Sequence, residues 1–330
     1  MAPETVSLNS LLSALRAAGE STRLRLLAIL SRNELTVSEL TYILGQSQPR
    51  ISRHLKLMCE AHLLHRYQEG SRVLYRIADT GPAAHIVRAL IQLLPEEDAE
   101  LERDRQRLAE TRAEHMRKAS DYFQEIAEHW DSVRGLYVAE AEVEKAMLTA
   151  VEDIEINFLL DLGTGTGRIL EVFSPHVKKG LGIDFSRKML GVARANLESC
   201  DIGHCQVRHG DIYHLGVDRA SVDVVTIHHV LHFLDEPATV VMEAARTLRP
   251  GGRVLIVDFA PHGIESLRHE HAHRRLGFSG EEVNSWLLRA GITCRAVHHL
   301  TTSGNSRNTD QLVVSLWVGE AGMATGEQPG

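Results

Sequence analysis

Three alternating glycines follow directly on an apolar run, and this pattern constrains the fold more than any other in the chain. Residues 158–160 are apolar and lead through Asp161 to Gly163, Gly165 and Gly167, so a buried strand must turn sharply into a helix. Glycine has no Cβ, so the backbone of such a turn can approach a bound molecule at the sheet edge where doubly wound folds hold nucleotides. The turn therefore predicts a ligand site in an α/β domain.

The residues around the glycines narrow the choice of nucleotide. A dinucleotide fingerprint has its third glycine at the sixth position of the loop, where this chain has Arg168, and a Walker phosphate loop ends in Gly-Lys-Ser/Thr, which is also absent. The order acid, apolar residue and GxGxG over residues 161–167 resembles motif I of class I S-adenosylmethionine (AdoMet) methyltransferases. The resemblance implies that AdoMet contacts Asp161, Gly163, Thr164, Gly165 and Gly167, with S-adenosylhomocysteine as the product.

Two further acids follow predicted strands in register with this loop. Asp184 ends the next strand, where a carboxylate can accept both ribose hydroxyls. Asp211 and Ile212 resemble the family's adenine-binding segment, which implies that Asp211 accepts the adenine amino group and that Ile212 covers the ring. Phe185 and Met189 are expected to pack against the adenine. A single acid at a strand end is commonly a helix cap or a solvated turn, but three such acids together favour the ligand.

Strands and helices alternate through residues 119–319. This alternation predicts a doubly wound, Rossmann-like α/β domain with a mainly parallel seven-stranded sheet. Residues 249–252 are expected to form a turn before a strand over 253–259. The sequence LRPGGRVLIVDF resembles the small-molecule branch of the methyltransferase family, typified by quinone and sterol methylation.

The first eighty residues have a different pattern. Residues 35–44 and 47–61 predict two short amphipathic helices around a polar break, which is helix-turn-helix spacing. In the second helix Ile51, Leu55 and Met58 share the inward face. Residues 64–77 predict a β-hairpin, or wing, so this part is expected to be an α+β winged helix-turn-helix.

The charge of this segment indicates its partner. Residues 47–76 carry six Lys and Arg against two acids, inside a chain of net charge −8, and a local basic surface on an acidic protein is typical of DNA binding. The sequences Gln46-Ser47, Ser52-Arg53-His54-Leu55-Lys56 and Ala61-His62-Leu63 resemble the recognition helix of ArsR-family repressors. A solvated helix in a protein-docking module is the alternative. The expected contacts with double-stranded operator DNA are Ser47, Gln48, Arg50, Ser52, Arg53, His54, Lys56 and Arg72.

Two positions depart from the ArsR pattern. His62 replaces the usual glycine, although histidine tolerates the left-handed conformation that a helix end favours. Metal-sensing members have a cysteine pair in the helix before the recognition helix, whereas residues 34–40 here carry hydroxyls, and soft metals need thiolate. The sequence therefore predicts no metal site in this domain.

The remaining segments complete the domain organisation. Residues 82–94 predict a helix with a broad apolar face. The corresponding helix of the ArsR family is the dimer helix, and its apolar face would be exposed if the helix stood alone. A twofold dimer places its recognition helices about 34 Å apart. Residues 96–118 are dense in charges and predict a solvated helical strut, and residues 119–130 resemble the lid helix of small-molecule methyltransferases, with Tyr122 as a cofactor contact. The predicted segments are a winged helix-turn-helix (1–81), a dimerisation helix and strut (82–118), a methyltransferase domain (119–319) and a disordered tail (320–330).

Composition agrees with two globular units in a reducing compartment, and we expect the predicted homodimer to be cytoplasmic. The chain has 330 residues and 43% hydrophobic residues, and no apolar run reaches the roughly eighteen residues of a membrane span. The N-terminal residues lack the features of an export signal. Four cysteines without CxxC spacing are expected to be free thiols.

Histidines follow the fourth predicted strand, beside the expected position of the methyl group. A hydroxyl or carbon acceptor requires a base, for which we predict His232, while the backbone of His228 is expected to contact the methionine moiety. Metal binding by this pair is not predicted because no third ligand is specified. His269, His271 and His273 precede the next helix, in either a substrate-covering segment or a surface loop.

Two mechanisms remain open for the predicted regulator. Its C-terminal domain either methylates a small molecule or senses AdoMet and S-adenosylhomocysteine without catalysis. DNA methylation is not expected, because the fourth strand ends without the Pro-Pro-aromatic motif that holds a flipped base.

Overall fold

The computed structural model describes residues 7–31, 33–78, 81–126, 140–301 and 312–322. These residues form two compact units that divide between Arg117 and Lys118. The division falls within one continuous helix, Ala99–Ile126, where the sequence had predicted two segments, 96–118 and 119–130. Residues 127–130 of the second predicted segment lie outside the described part of the chain.

The N-terminal unit combines helices with a small antiparallel sheet. Its elements are α1 (Leu8–Ala18), α2 (Ser21–Leu30), β1 (Leu35–Thr36), α3 (Val37–Leu44), α4 (Gln48–Glu60), β2 (Leu64–Glu69), β3 (Arg72–Ile77), α5 (Gly81–Gln92) and the first part of α6 (Ala99–Ile126). Strand β3 pairs with both β1 and β2. The α3–α4 pair followed by the β2–β3 hairpin confirms the predicted winged helix-turn-helix.

Helix α3 begins two residues later than predicted. Thr36 is its N-cap and forms a capping box with Glu39, in which each side chain bonds the other residue's backbone N–H. Leu35 is instead in β1, opposite Tyr75 of β3. Gly45 ends the helix with a φ of 64°, a left-handed conformation that glycine adopts without strain.

Helix α4 has the predicted inward face. Ile51, Leu55 and Met58 have no exposed surface. Ser47 occupies the N-cap position, although its side chain makes no capping hydrogen bond. His62 follows the helix with a φ of 57°, which confirms that histidine replaces glycine here in the left-handed conformation.

The apolar face of helix α5, which would be exposed if the helix stood alone, is largely covered within its own unit. Val87 is fully buried and Ile86 is 8% exposed, because this face packs into the core formed with α1 and α2. Helix α1 carries several exposed apolar residues, of which Leu8, Leu12 and Leu15 are 40% to 70% exposed, and Leu57 and Leu93 are exposed elsewhere in the unit.

The sequence predicted that the charged segment at the start of α6 is solvated. The structure shows that one side of this segment is buried. Asp104 has no exposed surface, and its carboxylate accepts two hydrogen bonds of 2.6 Å from Arg25 of α2. The same guanidinium also donates to the carbonyl of Leu44 at the end of α3. One guanidinium thus joins α2, α3 and α6, which a charge count along α6 cannot reveal.

The C-terminal unit alternates strands and helices. After the end of α6 its described elements are α7 (Glu140–Thr149), β4 (Ile156–Leu162), α8 (Arg168–Phe173), β5 (Val177–Asp184), α9 (Arg187–Ser199), β6 (Cys205–His209), β7 (Val222–His228), α10 (Pro237–Thr247), β8 (Leu248–Phe259), α11 (Ser266–Glu270), α12 (Gly280–Arg289), β9 (Ile292–Thr301) and β10 (Val313–Ala321), with 3₁₀ turns at Ser174–His176 and Leu231–Phe233.

The strands form one seven-stranded sheet in the order β6-β5-β4-β7-β8-β10-β9. The first five are parallel, and β10 is antiparallel to both of its neighbours. Two clusters of buried apolar side chains pack against the sheet. The chain order reverses between β4 and β7, so the crevice at their carboxyl ends is the topological switch point where such folds bind ligands. The predicted doubly wound fold is confirmed.

Strand β8 is longer than predicted. It starts at Leu248, which pairs with Val222, and its next paired residue is Arg253, opposite Val224. The segment expected to be a separate turn is therefore an irregularity within the strand, where four residues oppose a single residue of β7.

The end of the chain also differs from the prediction. Strand β10 runs to Ala321, into the segment 320–330 that was predicted to be a tail, and residues 323–330 lie outside the described part. Among the described helices none has the length and apolar character needed to cross a membrane.

Candidate functional site

The glycine loop after β4 is held against the end of β5. The backbone N–H groups of Gly163 and Thr164 donate to the carbonyl of Ile183 at 2.8 and 3.1 Å. Gly163, Gly165 and Gly167 have φ values of 68°, 53° and 83°, a left-handed conformation that costs other residues free energy. The loop therefore has the shape for which the sequence pattern requires glycine.

Two carboxylates flank this loop. Asp161 is 1% exposed and accepts a 2.7 Å hydrogen bond from the hydroxyl of Thr226 on β7. Asp184, 6% exposed, accepts from the N–H of Gly165 at 2.9 Å and from that of Ser186 at 2.8 Å. Burial raises the pKa of Asp184 above its usual value, although these backbone hydrogen bonds act in the opposite direction.

The loop also leaves little space for larger side chains. An added Cβ on Gly163 would overlap the side chain of Val230. The hydroxyl of Thr164, a residue that is 6% exposed, has no hydrogen-bond partner among the described residues. A buried hydroxyl without a partner is costly, so this position fits a ligand that supplies one.

An aromatic cluster lies next to the end of β5. Phe123 of α6 makes edge contacts with Phe185 and Phe233, at ring-centroid distances of 5.9 and 4.8 Å. Met189 is 1% exposed and packs in the same cluster. The Tyr122 hydroxyl forms a 2.6 Å hydrogen bond with Nδ1 of His271. The structure thus brings three of the predicted cofactor contacts together.

Asp211 and Ile212 are placed differently from each other. Ile212 is 8% exposed and belongs to the core beside the sheet. The Asp211 side chain is 51% exposed, and it accepts from the N–H of Tyr213 at 2.9 Å. Locally it stabilises the turn after β6, the alternative considered for an isolated acid, and its role toward adenine stays a prediction.

The histidines after β7 lie around a buried, hydrogen-bonded pair of side chains. His232 is 2% exposed, and its Nδ1 lies 2.8 Å from Oδ1 of Asp258, which has no exposed surface. Burial raises the pKa of Asp258, but attraction to His232 and their hydrogen bond outweigh it and lower the pKa overall. An ionised Asp258 accepts a hydrogen bond from Nδ1–H of His232, which leaves Nε2 of the neutral ring as a proton acceptor.

The segment after β8 covers this pair. The N–H groups of Arg274 and Arg275 donate to the carbonyl of His232 at 2.8 and 3.0 Å. The ring of His273, 7% exposed, stacks on His232 at a centroid distance of 4.1 Å, and burial followed by repulsion from His232 lowers its pKa. His269 is exposed. Of the two readings for this segment, the contacts favour a cover over the site.

Two acids of this region were missed by the sequence analysis. Asp258 is a single acid near the end of an apolar strand, and that pattern is the signal that points to a buried polar pair. Glu140 begins α7, and its Oε2 lies 3.8 Å from Nε2 of His228. No sequence spacing relates Glu140 to the histidines. His228 and His232, four residues apart in the sequence, do not share a helix, because His228 ends β7.

The predicted DNA contacts lie mostly on one exposed surface of the N-terminal unit. Helix α4 and the turn before it expose Ser47, Gln48, Arg50, Ser52, Arg53 and Lys56, and Arg72 begins β3 beside the wing turn. The side chain of His54 is only 12% exposed and lies 3.7 Å from Glu20. Burial lowers the pKa of His54, and this effect exceeds the opposite effect of attraction to Glu20. His54 is thus less accessible than the exposed members of the predicted set.

Together these features define a class of protein in which a winged helix-turn-helix accompanies a class I methyltransferase fold. Residues 20–66 match the family described as bacterial regulatory protein, arsR family, and residues 160–256 match the methyltransferase domain family. The chain is therefore an ArsR-type helix-turn-helix fused to a methyltransferase domain.

Similar proteins agree with this assignment. The uncharacterized methyltransferase YcgJ of Bacillus subtilis is 30% identical over 124 residues, which are 37% of this chain and 49% of that protein, so the match spans about half of the relative. The demethylmenaquinone methyltransferase of Clavibacter sepedonicus is 27% identical over 212 residues, 64% of this chain and 84% of that protein. The crystal structure of the N-methyltransferase NodS from Bradyrhizobium japonicum with S-adenosyl-L-homocysteine superposes with a TM-score of 0.50 at 16% identity, covering 62% of this chain and 98% of that one.

The loop geometry predicts opposite effects of two glycine substitutions. Gly163→Ala should lower the thermal unfolding midpoint, because the new Cβ overlaps Val230 and φ is positive; we expect a loss of roughly 1–3 kcal/mol. Gly191→Ala is the matched control. Its position in α9 has no atom within 4 Å of the added Cβ, so it should stabilise by about 0.5–1 kcal/mol. Equal midpoints for the two variants would show that the loop is not constrained as described.

Proposed function

We propose that this protein is a DNA-binding transcriptional regulator whose C-terminal unit methylates a small molecule with AdoMet. The observation that carries the proposal is the buried His232–Asp258 pair at the switch point of a methyltransferase fold, beside the glycine loop. A domain that only senses AdoMet needs the loop but has no use for a buried base. The pair therefore favours catalysis over sensing alone.

The residues around the loop fit AdoMet. Gly163, Gly165 and Gly167 permit close approach of the backbone, and the buried hydroxyl of Thr164 is available to a ligand. The carboxylate of Asp184 has lone pairs beyond those used by its two backbone donors, which supports its contact with the ribose hydroxyls. When bound, AdoMet supplies a methyl group activated by its sulfonium.

His232 would act on the methyl acceptor. Asp258 fixes its tautomer, so Nε2 can take the proton of an acceptor hydroxyl as the bond from the acceptor to the methyl carbon forms and the bond from that carbon to sulfur breaks. His273 stacks on the imidazole at a centroid distance of 4.1 Å, and the tilted ring of Phe259 lies beside it at 5.2 Å. This packing keeps water away and strengthens the electrostatic effect of Asp258. The rest of the acceleration comes from alignment of the acceptor.

The catalytic proposal predicts label transfer from methyl-tritiated AdoMet to a small molecule of a cell extract. His232→Gln should reduce the transfer rate by about a hundredfold or more, while its calorimetric affinity for S-adenosylhomocysteine stays within twofold of wild type. His176→Gln alters an exposed histidine and should transfer label normally. If wild type transfers no label but releases DNA when either ligand is added, the domain is a sensor and the catalytic proposal is wrong.

The role of Asp184 predicts a specific pH dependence. Its carboxylate must be ionised to accept ribose hydroxyls, and its pKa is raised, so affinity for S-adenosylhomocysteine should be complete above that raised pKa and fall as pH decreases through it. Asp184→Asn should weaken binding by roughly 1.5–3 kcal/mol, about ten- to a hundredfold, at high pH and remove this dependence. Calorimetric measurement of this affinity at about every pH unit between roughly pH 4 and 8 tests the prediction. Asp201→Asn, an exposed acid, should retain the wild-type profile, and a wild-type profile in Asp184→Asn would exclude Asp184 from the site.

The exposed surface of α4 supports DNA as a partner. Arg50, Arg53 and Lys56 project from a helix whose other face is fully buried, and the wing adds Arg72. Basic side chains on one surface displace counterions from DNA phosphates. A DNA partner also favours the cytoplasm as the location of the protein.

Arg53→Ala should weaken binding to a random-sequence DNA duplex and lower the slope of log affinity against log salt by about one. Fluorescence anisotropy over a series of salt concentrations measures both effects. Lys178→Ala, an exposed lysine of the C-terminal unit, should leave both unchanged. Identical slopes for wild type and Arg53→Ala would show that this residue contacts no phosphate.

The proposed homodimer is supported by helix α1 more than by α5. Leu8, Leu11, Leu12 and Leu15 follow helical spacing and are 36% to 70% exposed, and an apolar stripe of this kind marks an interaction surface. Leu12→Glu should convert the dimer to a monomer in sedimentation equilibrium. Ser13→Glu adds the same charge one residue further along and should stay dimeric. A wild-type chain that sediments as a monomer would contradict the proposal.

A further inference from the structure

A second group of polar side chains lies beside the His232–Asp258 pair. One donor atom from each of Glu140, His228 and His229 lies within 4.8 Å of the other two. His228 and His229 are each 7% exposed, and the side chain of Glu140 is 18% exposed. Two imidazoles and a carboxylate thus converge in a largely buried position.

The backbone at His229 produces this convergence. Neighbouring residues of a strand point to opposite faces of the sheet, so His228 and His229 would ordinarily be separated. His229 has a φ of 55° just after β7 ends, and its N–H donates to the carbonyl of Val257 at 2.9 Å. This left-handed residue brings the two rings to a centroid distance of 4.7 Å.

The spacing suits a metal ion better than a hydrogen bond. Nε2 of His228 and Oε2 of Glu140 are 3.8 Å apart, beyond the range of a hydrogen bond between them. Ligands on a tetrahedral zinc ion, with bonds of about 2.0–2.1 Å, lie roughly 3.3–3.5 Å from one another. A shift of a few tenths of an ångström would therefore place these atoms at ligand distances.

A second group of donors, His229, His232 and Asp258, meets the same distance criterion. Two of its members, His232 and Asp258, are already joined by a hydrogen bond of 2.8 Å. The Asp258 carboxylate also accepts from the backbone N–H groups of Phe259 and His232, at 2.8 and 3.2 Å. These hydrogen bonds would have to break before an ion could bind there, so His229 is better used with Glu140 and His228.

We propose that Glu140, His228 and His229 bind one divalent transition-metal ion, for which Zn²⁺ is the probe. Two histidines and a glutamate form a donor set of catalytic zinc sites, which leave a coordination position open to water or to a substrate oxygen. The site differs from the His228–His232 pair considered from the sequence, because His229 and Glu140 take the place of His232. The proposal goes beyond methyl transfer and does not depend on it.

Calorimetric titration of the chelator-treated full chain with Zn²⁺ tests the proposal. We expect one tight site per chain, and Co²⁺ in place of Zn²⁺ should give the visible absorption of a tetrahedral complex. Glu140→Gln and His228→Gln should each lower Zn²⁺ affinity at least tenfold and abolish that absorption. Glu140 is partly exposed, so its conservative variant should fold even if the variant at buried His228 does not; thermal unfolding checks this.

Matched variants separate this site from its rivals. His176→Gln, at an exposed histidine, should bind Zn²⁺ as wild type does, and so should Asp258→Asn. Loss of binding in Asp258→Asn with retention in Glu140→Gln would assign the ion to the other group and overturn the proposal. Unchanged Zn²⁺ affinity in Glu140→Gln would also overturn the proposal. If that variant also binds S-adenosylhomocysteine more weakly, Glu140 serves the methyl donor and not a metal ion.

Discussion

The hydrogen bond from the Gly165 N–H to the Asp184 carboxylate fixes the geometry on which the C-terminal unit depends. It joins the loop after β4 to the end of β5, and the bonds from Gly163 and Thr164 to Ile183 close the same gap. The loop is thereby held open at the switch point of the sheet, with a buried carboxylate at its edge. Because that carboxylate is desolvated, its interaction with a ligand is stronger than it would be in water.

The same sheet edge also holds the buried His232–Asp258 pair. Parallel pairing of β7 with β8 brings the end of one strand next to the end of the other, which sets His232 against Asp258. The backbone N–H groups of Arg274 and Arg275 donate to the His232 carbonyl, so the segment after β8 and the histidine belong to one hydrogen-bonded assembly. A buried, oriented histidine is what the proposed general-base chemistry on a small acceptor requires.

Much of the fold was predictable from short-range patterns. The glycine loop, the strand leading into it, the inward face of α4 and the left-handed turn at His62 all follow from residues close together in the chain. Longer-range packing did not follow from such patterns: the apolar face of α5 is buried within its own unit, and the charged start of α6, predicted to be solvated, buries Asp104 against Arg25. Helical spacing indicates which face is apolar or charged but not what covers it.

The sequence by itself determined the class of each unit and the position of the nucleotide-type site, because left-handed glycines, helix caps and alternating strands are dictated by local sterics and hydrogen bonding. Only the tertiary structure decided which polar groups act together. His232 lies beside Asp258, and His228 lies beside Glu140. The residues of each pair are far apart in the sequence, and no periodic pattern relates them. Those pairs exist because the sheet brings strand ends to one edge and because a desolvated polar group is stable only beside a partner.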